Sequence, residues 1–322
     1  MVSTEPNVNQ TRALPSLTTI GTLAVIAGEG QLPVDLAKQA SAWGLSVIGI
    51  SLSGSNQKAL AQACSRGAVS QGIGEVGKMR RTFQHYGVTH VVFAGKVNKW
   101  VLLCRPQLDA EAWSLYQSVR QRNDDTVMLT IINLMASEGY TVLPQTAFLA
   151  KHFAAEGFLT VATWAADAPQ WADITYGMTH AKASAAQDFG QTVVVQEGMV
   201  LAVEAIEGTD ACIARAGKLR KARGGVVAKV AKPNQDQRFD VPAVGVRTLN
   251  TMHRHGFDTL VTEANETLFL DKPLVIQRAH ELGISLISIS VDRAQQDPAS
   301  VLTCNAQALT VSESAPYESV KA

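Results

Sequence analysis

The sequence has 322 residues with 28 basic and 28 acidic side chains, a balance that argues against non-specific nucleic-acid binding, which needs surplus positive charge. Hydrophobic residues make up 46% and charged residues 17%, as in soluble globular proteins, and the length suffices for about two domains. No apolar run approaches the ~18 residues of a membrane span. The four cysteines are widely separated and form no metal-binding pattern, which suits a reducing, cytoplasmic compartment. They are Cys64, Cys104, Cys212 and Cys304.

The first half of the chain predicts a domain of alternating strands and helices over residues 20–149, preceded by a disordered lead over residues 1–19 that has no signal-peptide core. Thr22–Ala27 is a continuous apolar run, as expected of a strand buried in a parallel sheet. A glycine turn follows, then helical spacing from Leu32 with Pro33 in the first turn. We therefore predict a Rossmann-like, doubly wound α/β domain. Its further strands are Leu45–Ser51, Val88–Ala94 and Gly139–Leu143. Its further helices are Ala59–Arg66, a helix that Gly72–Lys78 opens and that continues through Tyr86, and Val127–Glu138.

Glycine turns follow the strands of this domain at Gly28 and Gly30, around Gly74, and at Gly95. Ligands of open α/β sheets bind beyond the carboxyl ends of the strands, so these turns are expected to form one phosphate-binding crevice. Neither of the first two turns completes a nucleotide motif. Pro33 occupies the third glycine position of GxGxxG, and no acid ends the next strand, which disfavours an NAD-dependent oxidoreductase.

Two ambiguities remain in the first half. Met79 replaces the Ser or Thr of a P-loop, so Gly72–Lys78 is either a flexible turn at a helix start or a loop that faces a ligand. Asp124 or Asp125 is expected to cap the helix Val127–Glu138, because aspartate is strongly preferred at that position.

Residues 150–173 predict an apolar connector, which serves as hydrophobic cover or lines a groove. Residues 174–292 predict a second α/β domain with a mixed sheet, and the polar tail over residues 293–322 is expected to be disordered. The elements of the second domain are helix Ile174–Phe189, a hairpin over residues 192–205, a helix through Ala216, strand Gly225–Val230, helix Thr248–His255, strand Thr259–Asn265, short strand Glu266–Asp271, helix Pro273–Leu282 and strand Ser285–Val291.

Three carboxylates precede one helix of the second domain: Glu204, Glu207 and Asp210. They could hold a divalent cation or polarise a water. Alternatively, the glutamates are solvated and Thr209 or Asp210 is the N-cap.

Charged residues also follow the strand Gly225–Val230, in a loop bracketed by Pro233 and Pro242. Proline restricts the backbone, so this loop is either a solvated turn or a rigid phosphate-binding loop whose carboxylates orient water or bind Mg²⁺. We call residues 231–241 the basic loop. Its charged residues include Lys232, Asp236, Arg238 and Asp240, and Lys229 precedes it. From the residues alone, the chain is a two-domain α/β protein that binds a phosphorylated ligand in the cleft between its domains.

Taken in order, the motifs resemble the LpxI family of UDP-2,3-diacylglucosamine pyrophosphatases of lipid A biosynthesis. The resemblance extends from Leu23 to Val291. The motifs that carry it are Leu23–Pro33, Gly72–Lys78, Phe93–Val97, Asp124-Asp125, Glu197–Asp210 and Lys232–Gly245.

The resemblance implies Mg²⁺-assisted hydrolysis of UDP-2,3-diacylglucosamine to UMP and 2,3-diacylglucosamine 1-phosphate (lipid X), with water attacking the phosphorus nearer the sugar. It implies a nucleotide-binding first domain, a lipid X-binding second domain, a homodimer and transient contact with the inner-membrane surface. The essential aspartate of the family's Asp-x-Pro motif corresponds to Asp240, which is also the expected metal ligand. The expected substrate- and phosphate-binding residues are Gly28, Gly30, Gly74, Gly95, Lys96, Val97, Asp124, Asp125, Glu204, Glu207, Thr209, Asp210, Lys229, Lys232 and Arg238.

Three motifs depart from the family pattern. Asn98–Trp100 replaces an Arg-Pro pair, Glu263–Asn265 replaces Glu-Ala-Gly, and Val241–Gly245 replaces Leu-Pro-Thr-Ile-Gly. The competing hypothesis is a non-catalytic protein that binds a nucleotide sugar or glycolipid. The carboxylates beside the basic loop argue against it, because a pure phosphate binder gains little from nearby negative charge.

Overall fold

The computed structural model describes residues 16–96, 108–118, 124–160 and 169–300, which form two compact units. Unit 1 takes in Met1–Ala150 and Asp236–Val241, and unit 2 takes in Lys151–Gln235 and Pro242–Ala322. The basic loop is therefore divided: its first five residues belong to unit 2 and its last six to unit 1.

Unit 1 contains a five-stranded parallel sheet, which confirms the predicted doubly wound domain. Its strands are β1 (Thr22–Ala27), β2 (Ser46–Ser51), β3 (Ala68–Ser70), β4 (Val88–Ala94) and β5 (Thr141–Val142). They lie in the order β3-β2-β1-β4-β5, the Rossmann order, with the switch point between β1 and β4.

Helices lie against this sheet as the apolar periodicity predicts. They are α1 (Leu32–Ala42), α2 (Gln57–Ala63), α3 (Val76–Tyr86), α4 (Ala110–Ser118) and α5 (Asp124–Ser137), and a 3₁₀ helix spans Gln145–Phe148. Phe83 of α3 and Met135 of α5 pack with Ile26 and Ile50 on one face of the sheet. Asp124 and Asp125 lie inside α5, so the expected helix start at Val127 was placed three residues too late, and neither aspartate flanks the helix as its cap.

Unit 2 contains a mixed six-stranded sheet, as predicted. Its strands are β6 (Gly157–Phe158), β7 (Thr192–Gln196), β8 (Met199–Val203), β9 (Val226–Lys229), β11 (Thr259–Glu263) and β13 (Ser285–Ile289); β10 (Ala243–Val244) and β12 (Leu268–Phe269) form a separate parallel pair. The strand order is β6-β13-β11-β9-β7-β8. The central strands β9, β11 and β13 are parallel, whereas β6, β7 and β8 pair antiparallel.

The helices of unit 2 cover both faces of this sheet. Ile174 and Met178 pack on one face with Val193 and Val226, while Ile213 and Leu249 belong to the cluster on the other. The helices are α6 (Gln170–Ala186), α7 (Thr209–Leu219), α8 (Val246–Arg254), α9 (Lys272–Leu282) and α10 (Val291–Gln296). Two of these helices extend into segments that the sequence analysis assigned differently. Helix α6 begins inside the expected connector, and α10 extends into the tail for which the sequence favours disorder.

The predicted hairpin between β7 and β8 turns at Glu197 and Gly198, which both have positive φ, as a two-residue type I′ turn requires. The carboxylate of Asp173 accepts hydrogen bonds from both backbone N–H groups, at 2.9 and 2.7 Å. A helix of the adjacent layer thus fixes this turn.

Cys64 and Cys212 are buried free thiols. Burial raises the pKa of each to about 12, so both remain protonated at neutral pH. No helix within the described ranges is long and apolar enough to cross a bilayer.

Candidate active site

The glycine turns after β1 and β4 meet at the switch point of the unit 1 sheet. The backbone N–H of Glu29 donates to the Lys96 carbonyl at 2.7 Å, and the Lys96 N–H returns a bond to Glu29 at 3.2 Å. Asn56 donates to the Gly28 carbonyl at 2.8 Å. The structure therefore brings Gly28, Gly30, Gly95 and the exposed Lys96 together, as the sequence predicts.

Glycine is required here for contact between the two turns. A Cβ atom on Gly28 would lie 2.4 Å from the Lys96 carbonyl oxygen, and one on Gly95 would lie 2.7 Å from that of Glu29. Gly95 also has a φ of +86°, which side chains rarely allow. Ser51 ends β2 and donates its hydroxyl to Asn56, at the point where an NAD-binding domain carries an acid for the ribose.

Substituting Gly28 by alanine is expected to destabilise unit 1 by about 1–3 kcal/mol, because the new Cβ would clash with backbone atoms of Lys96 and Gly95, which cannot move aside as a flexible side chain could. Gly72→Ala is the matched control: its Cβ would meet only the Glu75 side chain, at 3.5 Å, so its effect should stay within about 0.5 kcal/mol. Urea unfolding of both variants measures the difference. Equal stabilities would contradict the assigned role of the turn contact.

The Gly72–Lys78 turn starts α3, and intramolecular carboxylates occupy its backbone donors. Asp109 accepts from the Gly77 N–H at 2.8 Å, and Glu75 accepts from the Gly72 N–H at 2.8 Å. Gly74 is buried, and its carbonyl accepts from the Asp109 N–H at 2.9 Å. These bonds favour the interpretation as a helix start. Val97 and the departure Asn98–Trp100 lie outside the described residues, as do the side chains of Asp124 and Asp125.

In unit 2, Lys229 is the centre of a buried polar cluster at the carboxyl end of β9. Its ammonium donates to the Thr209 hydroxyl at 2.8 Å and to that of Thr192 at 3.4 Å. Thr209 in turn donates to Glu204 Oε1 at 3.0 Å. Glu204 Oε2 lies 3.9 Å from the lysine nitrogen and is buried without a hydrogen-bond partner among the described residues. The structure thus brings together the predicted residues Glu204, Thr209 and Lys229, and it leaves one Glu204 oxygen without a hydrogen-bond donor among the described residues.

The other two carboxylates of this group are held by separate cations. Arg215 contacts Glu207 at 2.5 Å, and this hydrogen bond lowers the pKa of Glu207. Asp210 pairs with Arg247 at 2.7 Å and accepts from Thr248 at 3.2 Å. The three carboxylates therefore do not share one cation. Gly208, rather than Thr209 or Asp210, is the N-cap of α7.

The first part of the basic loop is fastened by an ion pair that the sequence did not predict. Lys182 on α6 contacts both oxygens of Glu263, at 2.8 and 2.9 Å, at the carboxyl end of β11. Lys182 also donates to the Ala231 carbonyl at 3.0 Å, and Glu263 accepts from the Ala231 N–H at 2.8 Å. Both backbone groups of Ala231 are thereby fixed next to the buried end of β9.

Lys232 follows immediately and is also held within unit 2. Its ammonium contacts Asp188 at 2.7 Å, and its N–H donates to Gln235 at 2.8 Å. Gln191 donates to the same Gln235 oxygen at 3.0 Å. Specific hydrogen bonds and an ion pair therefore hold residues 231–235 in place, unlike the residues of a solvated turn.

The second part of the basic loop is fastened to unit 1 through Gln237, which is 7% exposed. Its carbonyl accepts from the Gln145 N–H at 3.0 Å, and its amide oxygen accepts from the Thr146 hydroxyl at 2.9 Å. Arg238 forms two close contacts with Asp236, at 2.9 and 2.6 Å, and this carboxylate raises the pKa of the guanidinium. Asp240 is half-buried, and its N–H donates to the Asp236 carbonyl at 3.0 Å.

The described residues contain no group of three or more His, Cys, Asp or Glu side chains placed to share a metal ion. Mg²⁺ does not require such a cage, since one or two carboxylates, waters and substrate phosphates suffice. Asp236 is committed to Arg238, and the ammonium of Lys229 would repel a cation at Glu204. Asp240 stays the predicted Mg²⁺ ligand of the basic loop.

Sequence reasoning overlooked the residues that hold the charged groups in place. Glu263 carried a signal, since an acid at the end of a strand faces the ligand edge of the sheet. Lys182 lies in mid-helix and Gln237 within a charged loop, and neither has a local pattern that reveals its partner.

Comparison with known proteins gives two family matches. Residues 22–152 match the LpxI N-terminal domain and residues 156–287 match the LpxI C-terminal domain. A curated relative from Caulobacter vibrioides, named UDP-2,3-diacylglucosamine pyrophosphatase LpxI, is 32% identical over 282 residues, which are 83% of this chain and 97% of the relative.

Two solved structures resemble the chain only weakly. A 3-hydroxyacyl-CoA dehydrogenase type-2 from Mycobacterium avium has 12% identity and a TM-score of 0.28, over 84% of this chain and 95% of its own. The TT0495 protein from Thermus thermophilus has 14% identity and a TM-score of 0.26, over 83% and 97%. Such likeness has no bearing on function.

Proposed function

The chain belongs to the LpxI family, and from this membership we propose that it hydrolyses the pyrophosphate bond of UDP-2,3-diacylglucosamine, releasing UMP and lipid X. The observation that carries the proposal is the similarity to a relative named for this activity, of which the alignment covers 97% at 32% identity, and both family domains match as well. We further propose that the enzyme depends on Mg²⁺, forms a homodimer and acts at the cytoplasmic face of the inner membrane.

In the proposed reaction, water attacks the phosphorus nearer the sugar, and the bond from that phosphorus to the bridging oxygen breaks. UMP leaves with the bridging oxygen, and the proton of the water passes to Asp240. A carboxylate suits this role because it accepts a proton at the moment the nucleophile forms its bond. Asp240 would also hold Mg²⁺, and that ion would supply positive charge to the developing phosphate oxygens.

The remaining residues of the basic loop orient rather than react. Asp236 aligns the guanidinium of Arg238, and a planar guanidinium is suited to phosphate oxygens. Gln237 fixes the segment between the two charged residues. Asp240 is therefore presented on a constrained backbone, which supports its assignment to the chemistry.

Within unit 2, the Lys229 cluster supports binding of the product half of the substrate. A buried carboxylate oxygen without a donor is costly unless a ligand supplies one. A hydroxyl or amide N–H of the acylated glucosamine has the required chemistry for Glu204 Oε2, while the Lys229 ammonium favours a nearby phosphate.

The proposal predicts release of UMP when the full chain is incubated with UDP-2,3-diacylglucosamine and Mg²⁺. In ¹⁸O-labelled water, attack at the sugar-side phosphorus places the label in lipid X, whereas attack at the other phosphorus places it in UMP. Chelation with EDTA should stop turnover, and added Mg²⁺ should restore it. Substrate binding without UMP release would instead support the non-catalytic alternative.

A further inference from the structure

Two large apolar side chains of unit 2 are exposed to solvent on neighbouring loops. Ile206 is 98% exposed, in the loop between β8 and α7, and Phe189 is 67% exposed, in the loop between α6 and β7. Isolated exposed apolar residues are ordinary on protein surfaces, but adjacent ones indicate a binding surface.

The two loops that carry these side chains touch. A Cβ atom on Gly190 would lie only 2.3 Å from the carbonyl oxygen of Glu204, so the backbones pack without space for a side chain. Phe189 is one residue from this contact and Ile206 is two residues from it. Adjoining loops, residues 187–191 and 204–208, therefore carry the two side chains, and we call these loops the apolar rim.

The apolar rim borders the Lys229 cluster. Glu204 belongs to both, and Thr209 of the cluster follows three residues after Ile206. The charged groups on the same loops are matched in pairs: Asp188 with Lys232, and Glu207 with Arg215. This arrangement places exposed apolar side chains between neutralised polar pairs, close to the candidate subsite for a phosphorylated glycolipid.

We propose that Phe189 and Ile206 insert into the interfacial region of a phospholipid bilayer while the enzyme takes its substrate. This inference rests on the proposed function, because a diacylated substrate resides in a bilayer. Exposed side chains on short loops can reach the surface of a bilayer without a helix that crosses it. Apolar side chains beside polar ones are the composition that binds this interface.

An exposed apolar residue at the far end of α7, the helix that follows Ile206, provides a control. Leu219 is 58% exposed at the carboxyl end of α7, among Lys218, Arg220, Lys221 and Arg223. It lies ten residues beyond Thr209, or roughly 15 Å at 1.5 Å per residue. A bilayer bound at that basic end would lie far from the Lys229 cluster, so we assign the contact to the apolar rim.

The test is sedimentation of the full chain with vesicles of phosphatidylethanolamine and phosphatidylglycerol. The double variant F189S/I206S should lower the partition coefficient at least about tenfold, because two large apolar side chains no longer enter the lipid. Leu219→Ser should change it by less than about twofold. Unchanged binding by the double variant, a larger loss for Leu219→Ser, or absence of vesicle binding by the wild type would each overturn the inference.

Two further measurements separate this inference from its premise. Light scattering should give the same oligomeric state for the wild type and F189S/I206S; a smaller assembly would mean that the rim contacts a second copy, and would also overturn the inference. With a short-chain substrate free in solution, the double variant should release UMP at the wild-type rate. If the wild type releases none, the proposed function fails while the vesicle result stands.

Discussion

Replacing Asp240 with asparagine is expected to reduce turnover by about 10²–10⁴-fold, the range associated with the loss of one acid or base group. Asparagine preserves the size of the side chain but cannot accept the proton of the attacking water. Substrate affinity measured without Mg²⁺ should change little, because the proposed direct phosphate contacts lie on other residues. Single-turnover measurements of UMP release, with substrate binding determined separately, distinguish the two effects.

Asp292 provides the matched control for this substitution. It is an exposed aspartate on α10, and it is not among the residues assigned to substrate. Asp292→Asn should leave turnover within about twofold of the wild type, in line with the small effects of surface substitutions. Near-normal turnover by Asp240→Asn, with unchanged circular dichroism, would remove Asp240 from the chemistry.

Breaking the ion pair between Lys182 and Glu263 is expected to affect both stability and activity. The side chains are 27% and 11% exposed, so removal of one partner leaves a largely buried charge. Fully buried pairs lose about 3–5 kcal/mol in this way, and we expect about 2–3 kcal/mol for Glu263→Gln because Lys182 retains some access to water. Turnover should fall as well, since Ala231 would no longer be held at the start of the basic loop. Urea unfolding and steady-state kinetics measure these two consequences.

The exposed pair between Arg278 and Glu281 allows the same chemical change without burial, since its side chains are 36% and 45% exposed. Glu281→Gln should therefore shift the urea midpoint far less than Glu263→Gln does, because water screens an exposed pair. A double-mutant cycle with Lys182→Met and Glu263→Gln should give a coupling energy above about 1 kcal/mol. Independent, additive effects would show that the two side chains do not act as a pair.

The sequence predicted the strands of both sheets well because buried parallel strands have an unmistakable composition. Thr22–Ala27 and Val88–Ala94 have the predicted bounds, since each is an apolar run that ends at a glycine turn. Shorter elements lacked such a signal: β3 has three residues, of which none is buried, and β6 has only two. Their positions are determined by neighbouring strands rather than by their own residues.

The candidate site was predictable in its residue types but not in its pairings. Lys232 was identified as a phosphate contact, yet its ammonium contacts Asp188, which lies more than forty residues earlier. Glu207 and Asp210 were considered as partners in one cation site, yet each has its own arginine. Such choices depend on which side chains the fold brings together, and local sequence spacing contains no information about them.

The divided basic loop has a consequence for exchanging halves between relatives. The two family domains suggest a natural junction between residues 152 and 156. A chimera joined there would take unit 1 from one parent and its Asp236–Val241 segment from the other. Gln145 and Thr146 would then have to bind a residue supplied by the other parent at position 237, which directly precedes Arg238 and lies three residues before Asp240. Functional chimeras are therefore expected only when the 236–241 segment is exchanged together with the first half. The part of the protein that can be exchanged is thus discontinuous in sequence.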